Sequence, residues 1–151
     1  MAFQNLTEIP CWVHLGVAKG ASSALQQYYF AAHSELLSLG LGGYGNSISW
    51  SSNALQMAME VELRCTASHL YNDSDVARVF RLEVERLANT SHKRMGFSYE
   101  NLSCTLGHDV SLVEKATRLR TLLGANTKVI YVVREQKDFL RSLYKELLLW
   151  D

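Results

Sequence analysis

Proline occurs once in the 151 residues, at Pro10, and glycine nine times, so proline-rich spacers and collagen-like repeats are excluded. Cysteine is sparse as well. Cys11, Cys65 and Cys104 are odd in number and widely spaced, with no CxxC and no Cys/His ligand pattern, so no metal ligand set is read from the sequence. They are expected to be small buried hydrophobes in a reducing compartment. Charge of one sign is absent, because 15 Lys and Arg balance 15 Asp and Glu. No global field then favours nucleic acid or an anionic membrane, and affinity for an anion must come from local geometry. Long hydrophobic runs are missing too. The first, residues 11–17, is too short for a signal core or a membrane span, and the leader before it holds Glu8 and no basic stretch. A cytoplasmic protein is expected, and the N-x-S/T triplets at Asn5, Asn72, Asn89 and Asn101 are read as chance.

What is present is a composition of 48% apolar and 20% charged residues, which fits one folded domain over residues 1–151. Residues 11–17 read as a strand, 18–23 as a small-residue turn, and Leu25, Tyr28, Tyr29, Ala32 and Leu36 as the stripe of a helix over about 22–37. Residues 38–52 have loop composition with room for a short strand at 48–50. Helices are predicted over 53–64 and 75–88, around a turn at 69–72, and a strand over 93–100. Ser111 and Glu114 form a capping box for a helix closed by Gly124. Residues 128–133 read as a buried parallel strand, and Phe139, Leu140, Leu143, Tyr144 and Leu147 as a last helix. Strands alternating with helices predict a three-layer α/β/α domain with a central parallel sheet. The apolar ending 147–150 predicts either a packed helix, a truncated domain, or a homodimer formed through the C-terminal helix.

The turn after the first strand carries Lys19, Gly20, Ala21, Ser22 and Ser23. Backbone N–H groups, two hydroxyls and one mobile ammonium converge there, a combination that binds phosphate oxygens. The order is not that of a Walker A loop, because Lys19 precedes Gly20. Arg134 stands after the later strand with Ser142 further along the final helix, at the sheet edge where open α/β folds hold ligands. A surface ion pair of Arg134 with Asp138 is the plainer alternative.

Together the two segments resemble the sulfotransferases that use 3′-phosphoadenosine-5′-phosphosulfate (PAPS). The family's strand followed by G-x-P-K-[ST]-G-[ST]-[ST]-x-[LV] is similar to residues 14–26, and its strand, Arg, seven residues and Ser is similar to Arg134 through Ser142. Residues 97–102 resemble the intervening strand and loop of bacterial members, and the likeness fades between Gly40 and Arg94. The resemblance implies a P-loop-NTPase-like architecture with Lys19 as the catalytic lysine on the phosphosulfate. It also implies a 5′-phosphate held by residues 20–23 and a 3′-phosphate held by Arg134 and Ser142. Ala18, Gly20 and Ala21 depart from the family's Pro, Ser/Thr and Gly, and the family's C-terminal part has no counterpart in residues 1–151.

An acceptor hydroxyl or amine needs a base, and Glu100, at the C-terminal end of the strand over 93–100, is the candidate. A solvated loop carboxylate is the plainer reading of it. His108 is the second choice, while His69 and His92 read as turn and surface residues and His14 as a hydrogen-bonded core histidine. Glu60 and Glu62 have no evident partner. The expected function is sulfuryl transfer from PAPS, with adenosine 3′,5′-bisphosphate (PAP) as product, to a carbohydrate or small molecule. A non-catalytic truncated module kept for binding or assembly is the alternative. A small-molecule kinase keeps the fold but fails on the position of Lys19.

Overall fold

The computed structural model describes residues 10–16, 24–42, 48–87, 92–105, 107–133 and 135–147. The apolar run after Pro10 forms β1 (Cys11–His14), buried at every position, and a π-helical turn α1 (Leu25–Phe30) follows the first connection. The predicted long first helix ends early. Leu36–Gly42 is a strand, β2, because its leucines pair with neighbours far along the chain instead of completing a helical stripe. The expected short strand is β3 (Ile48–Trp50), antiparallel to β2.

Ser52 caps α2 (Asn53–Gln56) by accepting from Leu55 N, and the helix continues as a π-helical stretch, Met57–Leu63. Then come α3 (Asp73–Leu87), β4 (Arg94–Ser98) and a 3-10 turn, Glu100–Ser103. Ser111 caps α4 (Leu112–Leu123) by accepting from Glu114 N, and Gly124 ends it at φ 83°, a conformation suited to glycine. Only half of the capping box forms, since the Glu114 carboxylate turns to Ser68 and Arg118. Arg118 also donates to the carbonyls of Glu62, Leu63 and Thr66, tying α4 to the end of the π-helical stretch. The chain closes with β5 (Lys128–Ile130) and α5 (Gln136–Leu147).

The five strands lie in the order β3-β2-β4-β1-β5, parallel except for β3. This is the mixed α/β domain with a mostly parallel sheet expected from the alternating pattern. Cys11 and Val13 point into the main core with Met95, Phe97, Phe80, Leu63 and Leu119. Trp12 and His14 point the other way, onto α1, where the Trp12 and Phe30 rings stack at 4.6 Å. Gly96 allows that stacking, because a Cβ there would meet the Trp12 carbonyl oxygen and indole.

Two further expectations are corrected. Of residues 128–133 only 128–130 form a strand, at the sheet edge, with Val129 61%, Tyr131 50% and Val133 77% exposed, because among the described residues β5 pairs only with β1 and its face is not covered as an interior strand's would be. The cysteines are not uniformly buried: Cys11 is, Cys65 is half-buried and Cys104 is exposed on the turn after β4, and all three carry thiols rather than disulfides.

Candidate functional site at the carboxyl edge of the sheet

Two adjacent parallel strands, β1 and β4, send their continuations to opposite faces. The chain leaving β1 passes α1 on the Trp12 and His14 face and returns two places away as β2. The chain leaving β4 passes α4 on the Val13 and Phe97 face and returns on the far side of β1 as β5. Such a divergence opens a crevice at the carboxyl ends of the two strands, the usual ligand position in open α/β sheets. β5 ends beside β1, with Leu15 N donating to Ile130 O at 2.9 Å. The connection beginning at Gly16 and the segment after Ile130 therefore leave the same edge from neighbouring strands.

At the base of the crevice His14 and Ser98 face each other across the β1–β4 register. Both are fully buried. Ser98 Oγ lies 2.7 Å from His14 Nδ1 and accepts a 2.8 Å hydrogen bond from Gln26 Nε2 on α1. Gln26 occupies one lone pair of the oxygen; when the Ser98 hydroxyl donates its proton to Nδ1, the imidazole proton lies on Nε2. Nε2 has no partner. Burial lowers the His14 pKa from its ordinary value, favouring the neutral ring. The arrangement is not a nucleophile, base and orienter in series, because Gln26 binds the serine and not the second ring nitrogen. It matches the expected hydrogen-bonded core histidine, with the addition of an unused donor.

The turn after β4 brings Glu100 to the same edge. Ser103 Oγ donates to the Gly16 carbonyl at 2.7 Å, so the turn is tied to the beginning of the β1 connection. Lys115 of α4 holds its other side, donating to the carbonyls of Asn101, at 3.1 Å, and Cys104. The ammonium pairs at 2.7 Å with Asp109, and both side chains are almost wholly enclosed. Asp109 pairs on its other oxygen with Arg64 at 3.0 Å, and Arg64 donates to the Tyr99 hydroxyl. Among the described residues the Glu100 carboxylate makes no hydrogen bond or ion pair, and Glu100 is half-buried. A carboxylate held by its backbone with its oxygens unengaged can accept a proton.

His108, the second candidate base, is exposed, and its Nε2 lies 3.2 Å from an Arg64 nitrogen that can only donate. That contact occupies the lone pair a base would use. Cys65, His108 and Asp109 bring potential ligand atoms within 4.8 Å of one another, a grouping the sequence spacing did not suggest. Arg64 and Lys115 already neutralise Asp109, so a cation there would face two positive groups.

Lys19, Gly20, Ala21, Ser22, Ser23 and Arg134 lie outside the described residues. Ser142 falls on α5, but its side chain lies outside the described set as well. Asp138, the alternative partner for Arg134, stands 3.9 Å from Arg141. Glu60 and Glu62 do have partners, in correction of the sequence reading: Trp50 Nε1 donates to Glu60 at 2.6 Å and Thr66 Oγ1 to Glu62 at 3.1 Å. Sequence reasoning passed over Ser98 and Gln26, which stand 84 and 72 residues from the groups they meet. A polar Ser closing an apolar strand opposite a strand histidine was the available signal.

The fold is a mixed α/β domain with a mostly parallel sheet and a switch point between β1 and β4, the place where open α/β sheets hold ligands. Comparison with family models, curated proteins and solved structures finds no match for the chain.

Proposed function

We propose that the chain is a PAPS-dependent sulfotransferase-like domain that passes a sulfuryl group to a hydroxyl or amine of a carbohydrate or small molecule. The observation that carries this reading is the convergence of the β1, β4 and β5 carboxyl ends on one crevice. It supports a single ligand reached by the Lys19 connection, the Glu100 turn and the Arg134 segment. In the proposed reaction the acceptor oxygen or nitrogen attacks sulfur in line, and the bond from sulfur to the bridging oxygen breaks. The acceptor proton goes to Glu100, and the electron pair left on the bridging oxygen, now part of PAP, is stabilised by Lys19. Residues 20–23 cradle the 5′-phosphate, and Arg134 with Ser142 reads the 3′-phosphate.

The test is thermal unfolding of the whole chain with PAP and with AMP. A larger rise with PAP is expected, since only PAP offers a 3′-phosphate. Equal shifts remove the roles of Arg134 and Ser142, and no shift with either removes the nucleotide. Lys19→Ala is expected to abolish transfer with an unchanged melting curve, and full activity in that variant removes Lys19 from the mechanism. The uncovered apolar face of β5 favours a second reading, a non-catalytic module kept for binding or assembly. Under that reading neither nucleotide shifts the melting curve.

A further inference from the structure

The face of β1 that α1 covers has more donors than acceptors. Trp12 Nε1 and His14 Nε2, two residues apart on this face, are both buried without a hydrogen-bond partner among the described residues. Buried polar atoms are nearly always paired, and an orphan in a packed site marks a place where something else supplies the partner. His14 is the more telling of the two. It is the last residue of β1, at the switch point, and Ser98, itself held by Gln26, engages only its other nitrogen. In the tautomer that accepts from Ser98 at Nδ1, the ring's remaining hydrogen, on Nε2, points at nothing among the described residues.

We propose that His14 Nε2–H is a ligand-binding donor that hydrogen-bonds an oxygen of a phosphate or sulfate ester group held in the β1–β4 crevice. The choice of an oxyanion follows from the donor set: Nε2–H can only donate, and no carboxylate among the described residues bonds the ring or its partners. Enclosure removes competing water, so a neutral donor here discriminates well between an acceptor and none. Ser98 and Gln26 are positioning residues that act through the ring. That the ester belongs to an adenosine bisphosphate rests on the function proposed above; the donor role does not.

The experiment reads the ring nitrogens of the full chain by long-range proton–nitrogen spectra. Spectra are taken alone, with inorganic phosphate and with PAP, beside PAP titrations of His14→Phe and His14→Gln. The expected result is an Nε2–H tautomer in the free protein and movement of Nε2 and its proton on adding PAP. His14→Phe should weaken binding about tenfold, and His14→Gln, which keeps an N–H in place, should stay within about threefold. An Nδ1–H tautomer in the free protein overturns the proposal. So does PAP binding that leaves the ring signals still and is equally tight in His14→Phe; the nucleotide reading survives that outcome. If phosphate moves the ring signals but PAP does not bind, the donor stands and the nucleotide falls. Silence of the ring toward both ligands overturns the proposal, and because these spectra use the unmodified chain, a variant that fails to fold leaves the result readable.

Discussion

His14 shows how far one side chain's environment departs from what its place in the sequence requires. As an enclosed imidazole bonded to Ser98, its pKa lies below the ordinary 6.5 because burial penalises the cation. The unfolded chain therefore takes up a proton near pH 6.5 that the folded chain refuses until lower pH. Stability from this group is complete above the unfolded value and is lost as pH falls toward the folded one. Urea midpoints measured from pH 7.5 down to pH 5 are expected to decline, with a shallower decline in His14→Gln; parallel profiles for the two proteins would assign the decline elsewhere. Cys11 is governed by the same physics, since burial pushes its thiol up to about 11 and leaves it unreactive at neutral pH. Neither shift follows from residue type. Both come from the sheet that encloses the side chains.

Among the elements, α4 decides where the Glu100 turn sits. Its cap was legible, because Ser111, Glu114 and Gly124 act over a few residues and the box needs no distant partner. Its buried lysine was not. Lys115 reaches out of the helix to two carbonyls of the turn and to Asp109, and their mutual enclosure depends on the α4 face meeting the chain after β4. Replacing Lys115 with Met leaves the Asp109 carboxylate buried with Arg64 as its remaining cation among these three. The expected loss is about 3–5 kcal/mol by urea denaturation, as for other broken buried pairs. A loss within about 1 kcal/mol would mean that solvent reaches Asp109 freely. The segment 36–42 failed in the opposite direction. Its leucines and glycines lack the β-branched signal of a strand, and only pairing with β4 and β3 makes it one.

For the whole molecule, the order β3-β2-β4-β1-β5 produces an unequal sheet. β1 and β4 are paired on both edges and buried, whereas β5 has one neighbour and an uncovered apolar face. Amide exchange is expected to be slowest in 11–14 and 95–98 and markedly faster in 128–130, since local opening follows burial and pairing. Uniform protection across the sheet would show that β5 is covered in solution. The same order places the switch point between the two best-held strands.

The sequence by itself determined the alternation of strands and helices, the cap at Ser111 and the glycine stop at Gly124. These are local: each depends on periodicity or on a hydrogen bond spanning a few residues. The tertiary structure alone decided which strands became neighbours, which of them took the edge, and that His14, Ser98 and Gln26 would share one buried hydroxyl. Those outcomes depend on pairing and enclosure between residues far apart in the chain, and no short window of sequence contains both partners.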